Sequence, residues 1–207
     1  MASNEREDAT ARSAVYKLFV EAFEYPDDEY AQRVREGKFA TALEEAFGAL
    51  APELCDDVRR DALRDAGEDD ALAIEYTRLF DVGASGPPCP LYGGLYGGAR
   101  MKTMEEAVRF YNHFGLKLSE RPRELPDHLG TQLEFLHYLA FREAEALESG
   151  DDSGAYRRAL RDFVERHPGS WVPKLLDRLE QQRPMAYFLE LVRQLARFLS
   201  HEATVRS

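Results

Sequence analysis

A proline, an acidic residue and a histidine stand in consecutive positions at Pro126-Asp127-His128, directly before a strongly periodic segment. Leu129, Leu133 and Leu136 recur there at steps of three and four residues, which is typical of one apolar helix face. Proline suits the first turn of a helix, because its missing N–H would have no partner there. The spacing therefore predicts that Asp127 lies in the first turn, where the helix dipole favours a negative charge that can bind a cation. The alternative is an ordinary solvated helix start.

A second stretch that can carry chemistry contains the glycine doublets Gly93-Gly94 and Gly97-Gly98, followed by Arg100 and Lys102. Backbone N–H groups of such a segment can cradle an anion, with Arg100 and Lys102 as contacts to the anion or to a cofactor. Flexible glycines that support a binding loop are the simpler interpretation. The sequence holds neither a Gly-x-x-x-x-Gly-Lys-Ser/Thr phosphate loop nor a Gly-x-Ser-x-Gly nucleophile elbow.

Other reactive residue types do not form a convincing catalytic or metal site. Glu134 and His137 are three residues apart on the predicted helix, which is not a zinc-hydrolase spacing. Cys89 stands between two prolines, and no base in the sequence pairs with it as expected for a nucleophile. We therefore expect no metal ion, no catalytic residues and no enzymatic activity.

A peptide-binding interpretation accounts for more of these residues. The segment 83–100 is too rich in glycine and proline for a regular helix, and long irregular segments in compact domains are usually functional. The candidate peptide-binding residues are Glu75, Pro87, Pro88, Leu91, Tyr92, Tyr96, Glu124, Leu125, Pro126, Asp127 and His128. Carboxylates beside apolar surface suit a peptide that carries arginines followed by apolar residues, because arginine binds carboxylates in a bidentate geometry. The alternative for the aromatic residues is packing of the loop onto the core.

The elements that position these residues are predicted to be helices. Apolar residues recur with helical spacing along most of the chain, and no segment alternates convincingly with period two. Breaks are expected at Pro26-Asp27, with Asp27 as a helix cap, at Gly37 and at 167–171. We predict an all-α protein: residues 1–10 form a mobile N-terminal tail, and residues 11–207 form a single-domain helical bundle.

Composition limits the partners and the cellular location. The chain has 207 residues and a net charge of −11, which argues against nucleic acid as a partner and suits a basic one. Its acidic N-terminus lacks the features of a signal peptide, and no apolar run is long enough to span a membrane. The two cysteines suggest neither a metal site nor a disulfide framework. We expect a cytoplasmic protein without stable membrane insertion.

Three segments together resemble one protein family. They are Glu75-Tyr76-Thr77-Arg78-Leu79-Phe80, then Pro87-Pro88-Cys89-Pro90-Leu91-Tyr92, and then Phe110-Tyr111-Asn112-His113-Phe114-Gly115-Leu116 with Glu124-Leu125-Pro126-Asp127-His128-Leu129 and Leu133-Glu134-Phe135-Leu136. In these motifs the chain resembles the redox-enzyme maturation chaperones of the TorD/DmsD/NarJ type, over about residues 70 to 147. It departs from the family pattern in two ways. Gly93-Gly94 follows Tyr92 where many members carry an acidic residue or serine, and the tryptophans usual near the loop are absent, because the only tryptophan is Trp171.

The resemblance implies a fold, a partner and a site. It implies an all-helical cytoplasmic chaperone, monomeric or dimeric, that binds the twin-arginine signal or N-terminal region of the catalytic subunit of a molybdopterin oxidoreductase. The chaperone would hold that subunit until its cofactor is inserted, before export. The clients would be enzymes related to dimethyl sulfoxide reductase, such as selenate- and chlorate-type reductases. The proline-rich loop and the Pro126-Asp127-His128 element would form the site. No tightly bound cofactor is implied, although transient contact with the molybdopterin cofactor or GTP stays open, as does a GTP-linked enzyme or switch.

Overall fold

A computed structural model describes residues 2–84, 86–97, 100–117 and 125–205. The α-helices in these ranges are α1 Ala2–Ala22, α2 Asp28–Arg35, α3 Lys38–Leu50, α4 Ala71–Tyr76, α5 Arg100–His113, α6 Leu129–Ser149, α7 Gly154–Arg166, α8 Pro168–Gln181 and α9 Ala186–Val205. Short 3₁₀ helices span Pro52–Cys55, Ala62–Arg64 and Gly93–Leu95, and a π-helical turn, Thr77–Asp81, extends α4. The described part of the chain forms no β-strand beyond isolated bridges, so the predicted all-α class is confirmed.

The long helices α1 and α6 pack along each other, and α3, α7, α8 and α9 surround this pair. One aromatic group joins three of these helices, because Tyr16 and Phe19 of α1, Phe47 of α3 and Phe198 of α9 have neighbouring ring centroids 4.9 to 6.4 Å apart. All four side chains are fully buried. Each contributes roughly 1.5–3 kcal/mol through burial, so this cluster stabilises the packing of α1, α3 and α9 against one another. No helix in the described ranges has the length and hydropathy that a membrane span requires.

One predicted helix boundary is confirmed in detail, at the start of α2. The side chain of Asp27 accepts a hydrogen bond of 2.8 Å from the Tyr30 N–H, so Asp27 is the N-cap that the sequence indicated. The helix ends before Gly37, whose φ of 75° lies in the left-handed region that glycine adopts without strain.

Two other boundaries differ from the predictions. Helix α1 begins at Ala2, so residues 2–10, expected to form a mobile tail, are helical, and Ala9 is fully buried. The predicted break at 167–171 is a single-residue junction at His167 between α7 and α8. Pro168 takes the first position of α8, where proline is tolerated, and the helix resumes at once with Trp171 on its buried face. Proline here starts a helix instead of lengthening a break.

His167, at this junction, is a buried histidine in an apolar environment. Only 1% of it is exposed, and its ring lies 4.4 Å from the Phe163 ring and 5.7 Å from the Phe110 ring, measured between centroids. Neither ring nitrogen has a hydrogen-bond partner among the described residues. Burial lowers the pKa of His167 to about 4, with Glu106 opposing this shift and Arg166 adding to it. The folded protein therefore holds the neutral imidazole.

This burial predicts a loss of stability in mild acid. The unfolded chain takes up a proton on His167 below its ordinary pKa of 6.5, whereas the folded chain does so only near pH 4. The free energy of unfolding should therefore fall by roughly 3 kcal/mol from this group alone as the pH drops through that window. His167→Phe removes the titrating group and keeps an aromatic ring, so its stability relative to the native chain should rise as pH falls. Urea denaturation of both proteins over the same pH series measures the difference, in which the carboxylates common to both cancel. Parallel stability curves would contradict the prediction.

Candidate functional site

The glycine- and proline-rich loop, described over residues 86–97, and the start of α6 are joined into one structural unit by backbone hydrogen bonds. The Leu129 N–H donates to the Leu91 carbonyl at 2.8 Å, and the Gly93 N–H donates to the Asp127 carbonyl at 2.9 Å. Tyr92 and His128 form an antiparallel bridge between these bonds, and their rings lie 5.0 Å apart. The structure thus brings together the two parts of the site that the sequence separates by more than thirty residues.

The helix itself begins later than predicted. Helix α6 starts at Leu129, and its N-cap is His128, whose Nδ1 accepts a hydrogen bond of 3.2 Å from the Gly130 N–H. Pro126 and Asp127 form a turn before the helix, held by a 2.8 Å hydrogen bond from the Tyr111 hydroxyl to the Pro126 carbonyl. Asp127 is therefore not in the first helical turn.

The Asp127 carboxylate points into the protein and is fully buried. Its Oδ2 accepts a hydrogen bond of 3.0 Å from the Gly94 N–H, whereas its Oδ1 has no hydrogen-bond partner among the described residues. Burial and the nearby Asp127 charge both raise the pKa of Tyr111, which places that phenol beside the carboxylate. The expected display of Asp127 as an exposed anion is corrected: the carboxylate binds the loop.

Side chains of helices α6 and α8 pack against the inner side of the loop. The Trp171 indole N–H donates to the Gln132 Oε1 at 3.1 Å, and the Gln132 Nε2 donates to the Asp127 carbonyl at 3.4 Å. The Trp171 ring stacks on the Tyr96 ring with centroids 5.1 Å apart and an interplanar angle of 24°. A Cβ placed on Gly93 would lie 2.7 Å from the Trp171 Nε1, so only glycine allows this close approach. Residues 91–96 therefore rest on a packed polar and aromatic platform.

Three cationic side chains contact the same loop. The Arg178 guanidinium lies 4.3 Å from the Tyr96 ring centroid and donates to the Leu95 carbonyl at 3.2 Å. Lys174 donates to the Tyr96 carbonyl at 3.2 Å. The Arg100 guanidinium lies over the Tyr92 ring, 6.0 Å from its centroid. None of the three forms an ion pair with another described residue, so this part of the described surface is positive although the chain is acidic overall.

The predicted peptide-binding residues divide into buried and accessible groups. Buried members are Leu91, Tyr96, Asp127 and His128; half-buried members are Pro87, Pro88, Tyr92 and Pro126. Leu125 is 40% exposed, and Leu95 and Met101, which the sequence analysis did not select, are 41% and 65% exposed. Glu124 lies outside the described residues. The apolar surface available to a ligand therefore includes Leu95, Met101 and Leu125 beside the half-buried prolines and Tyr92.

Glu75 is engaged elsewhere in the structure. Its carboxylate accepts hydrogen bonds of 2.7 and 2.8 Å from Arg78 and one of 2.9 Å from the Met185 N–H. Partial burial acts to raise the pKa of Glu75, but these hydrogen bonds outweigh it and hold the pKa below its ordinary value. Within the described ranges no hydrogen bond or ion pair joins Glu75 to the loop or to Asp127, so its role in peptide binding stays a prediction.

Backbone N–H groups that could bind a phosphate at the first glycine doublet already donate hydrogen bonds within the protein. The N–H groups of Gly93 and Gly94 both donate to Asp127, and both glycines are buried. Gly98 lies outside the described residues, whereas Arg100 and Lys102 are exposed at the start of α5.

Burial raises the pKa of the Cys89 thiol to about 11, so at neutral pH it is not a thiolate nucleophile. In the described ranges no cluster of His, Cys, Asp and Glu side chains has a metal-binding arrangement.

Several residues that build the site were not identified from the sequence: Tyr111, Gln132, Trp171, Lys174 and Arg178. Trp171, Lys174 and Arg178 reach the loop from α8, which is distant in sequence, whereas Tyr111 and Gln132 bond the Pro126 and Asp127 carbonyls. Helical periodicity indicates only that a position is buried, not which neighbour it meets. The one available signal was Trp171, since a single tryptophan in 207 residues on a buried helix face is a strong candidate for a structural contact.

Comparisons with known proteins identify the family of this chain. The sequence profile of the family described as nitrate reductase delta subunit matches residues 36–177. The chain is 33% identical to the chlorate reductase assembly chaperone protein of Ideonella dechloratans over 172 residues, which cover 82% of this chain and 77% of that protein. It is 41% identical to the selenate reductase assembly chaperone protein of Thauera selenatis over 113 residues, 54% of this chain and 58% of that protein's length.

A solved structure shares the fold. A proposed redox enzyme maturation protein from Archaeoglobus fulgidus superposes with a TM-score of 0.51 over 91% of this chain and 93% of that one, at 23% identity. This level of identity supports the all-α architecture alone. The family profile covers most of the chain, and the chlorate relative aligns along most of both sequences. The protein therefore belongs to the nitrate reductase delta subunit family, the redox-enzyme maturation chaperones of the TorD/DmsD/NarJ type.

Proposed function

We propose that this protein is a cytoplasmic assembly chaperone that binds the twin-arginine signal or N-terminal region of the catalytic subunit of a molybdopterin oxidoreductase. It holds that subunit until cofactor insertion is complete, before export. The observation that carries the proposal is the alignment, over most of the chain, with a relative named as a chlorate reductase assembly chaperone. The selenate reductase relative supports a client of the same enzyme class.

The geometry favours a peptide ligand over a small substrate. The candidate site is a loop that packs on side chains of α6 and α8. Leu95, Met101 and Leu125 are exposed apolar side chains at its edge. A peptide's apolar segment can bury them, and each such side chain contributes roughly 1.5–3 kcal/mol when it leaves water. The described platform is fixed by buried hydrogen bonds, so little ordering of the loop is needed when the peptide binds.

The charge distribution assigns the two halves of such a peptide to different surfaces. Arg100, Lys174 and Arg178 at the loop disfavour a nearby arginine pair. The net charge of −11 still attracts a basic peptide to the molecule as a whole. The apolar segment of the signal therefore lies on the loop, and its arginines extend away from these cations. A GTP-linked activity is not favoured, because Asp127 occupies the Gly93 and Gly94 N–H donors.

A titration with synthetic signal peptides tests the proposal. We expect a twin-arginine signal peptide followed by an apolar segment to bind, and a peptide with that apolar segment replaced by serines to bind at least about tenfold more weakly. Because Trp171 is the only tryptophan and packs under the loop, its fluorescence should report binding of a tryptophan-free peptide, with calorimetry giving the affinity.

Two controls test whether the peptide's arginines are recognised and whether the client subunit itself is bound. A twin-lysine peptide tests whether the bidentate geometry of arginine is read, since lysine keeps the charge and loses that geometry. Co-expression with a tagged catalytic subunit tests binding to the client itself. If neither peptide nor client subunit is retained, the assignment of this chaperone function is wrong.

A further inference from the structure

The Asp127 carboxylate is buried and bonded to the loop, as expected for a group that fixes the loop and not for one that contacts a ligand. None of its surface is exposed, and its Oδ2 is bonded to the Gly94 N–H at 3.0 Å. A ligand arginine could reach this carboxylate only after the loop had moved away. Arg100 is also close by: a Cβ built on Gly94 would lie 2.6 Å from the Arg100 Cγ and 2.9 Å from the Asp127 Oδ2. The turn is thus enclosed between a carboxylate and an existing arginine.

The hydrogen bonds of Asp127 connect the Gly93-Gly94 turn of the loop to α6 and, through Gln132, to α8. Its main-chain carbonyl accepts from the Gly93 N–H at 2.9 Å and from the Gln132 Nε2 at 3.4 Å, while its carboxylate accepts from Gly94. Gln132 in turn accepts from the Trp171 indole, on which Tyr96 stacks. Removal of the carboxylate would leave the Gly94 N–H buried without its partner, a costly state that the loop escapes by moving toward water.

We propose that Asp127 is a positioning residue for client binding: its buried carboxylate fixes the Gly93-Gly94 turn, which sets the loop and its exposed Leu95 against the start of α5, and it forms no ion pair with the client's arginines. The inference rests on the proposed function for its binding readout, while its structural part can be measured on the free protein. It differs from an arginine-binding role in one chemical respect: the hydrogen-bond acceptor matters and the negative charge does not.

Substitution by asparagine separates the acceptor from the charge. Asp127→Asn keeps an oxygen that can accept from the Gly94 N–H, so we expect peptide affinity within about twofold of the native protein. Asp127→Ala removes the acceptor, and we expect affinity to fall about tenfold. Hydrogen exchange of the Gly94 amide in the free protein should become faster in Asp127→Ala and stay near the native rate in Asp127→Asn.

Gly94→Ala tests the same idea with Asp127 unchanged. The added Cβ meets the Arg100 Cγ, the Asp127 Oδ2 and, at 3.1 Å, the Arg100 Cα, and backbone cannot give way as a flexible side-chain end can. The turn must therefore move, and we expect an affinity loss similar to that of Asp127→Ala, about tenfold. Circular dichroism melts verify that each variant is folded before titration.

The outcomes decide between the roles. Native-like binding by Asp127→Asn, together with weak binding by Asp127→Ala and Gly94→Ala, supports the positioning role. Equal losses in Asp127→Asn and Asp127→Ala, with native Trp171 emission and native Gly94 exchange in both, overturn it and assign Asp127 to the client's arginines. Native-like affinity in Asp127→Ala also overturns it. If the native protein binds neither the peptide nor the client subunit, the proposed function fails, whereas the Gly94 exchange rates still show whether Asp127 holds the turn.

Discussion

Arg12→Met is expected to lower the free energy of unfolding by about 3–5 kcal/mol, because it leaves buried carboxylates without their cation. Arg12 is 6% exposed, and its Nε lies 2.8 Å from a Glu202 carboxylate oxygen. Its guanidinium also lies 3.9 Å from Glu143, and both glutamates are only 1% exposed. Glu143 keeps a second cation in Arg157, at 2.8 Å, so the largest uncompensated charge should fall on Glu202. Urea denaturation followed by circular dichroism measures the change.

The same helix supplies a matched control. Arg6 forms an ion pair of 3.3 Å with Glu148, but the two side chains are 43% and 68% exposed, so Arg6→Met should cost less than about 1 kcal/mol. Adding Glu202→Gln to Arg12→Met should recover part of the loss, since the buried charge is then removed with its partner. If Arg12→Met and Arg6→Met were equally mild, the buried network would not be a determinant of stability.

This network also shows why the beginning of the chain was mispredicted. Residues 1–10 are polar and acidic, and local composition alone favours a mobile tail. In the structure Glu5 pairs with Arg157 at 2.9 Å and Arg12 pairs with Glu202, which is 190 residues away. Contacts at such separations leave no periodic signal, so the helix extends further toward the N-terminus than the pattern indicates.

Other parts of the fold were accessible from the sequence because they depend on neighbouring residues. The all-α class follows from helical spacing of apolar positions, and the Asp27 cap follows from a hydrogen bond to a residue three positions later. The start of α6 was predicted too early, with Asp127 in its first turn. The helix begins at Leu129 with His128 as its N-cap, and Asp127 instead bonds the distant Gly94, a contact that local sequence does not indicate.

The structure brings together the two parts of the predicted site but arranges their side chains differently from the prediction. Sequence motifs indicated the loop and the Pro126-Asp127-His128 element, and the structure joins them. Which side chains face solvent could not be derived, because exposure depends on the platform that Trp171 and Gln132 form beneath the loop. Leu95 and Met101 are accessible, whereas Leu91 and Asp127 are buried. An acidic residue in a motif thus need not be an exposed charge.

Trp171→Ala is expected to have the second large effect, a loss of about 3–5 kcal/mol in the free energy of unfolding, because truncating a buried tryptophan leaves a cavity. Trp171 is 3% exposed, stacks on Tyr96 and donates to Gln132. Its loss also removes the surface against which Gly93 packs, so the folded fraction should bind the signal peptide at least about tenfold more weakly. Urea denaturation gives the stability, and calorimetric titration at low temperature gives the affinity.

A second buried aromatic residue separates loss of stability from loss of the site. Phe47 is fully buried against Phe19 and Phe198, in a cluster that contains no residue of the loop, so Phe47→Ala should destabilise by a similar amount and leave the affinity of the folded protein unchanged. Trp171→Phe should have a stability between those of the native protein and Trp171→Ala: it keeps a ring against Tyr96 but leaves the Gln132 Oε1 without its donor, at a cost of about 1–3 kcal/mol. Equal peptide affinities in Trp171→Ala and Phe47→Ala would show that the platform stabilises the fold without shaping the binding surface. A loss confined to Trp171→Ala would instead tie client binding to the contacts that hold the loop from beneath.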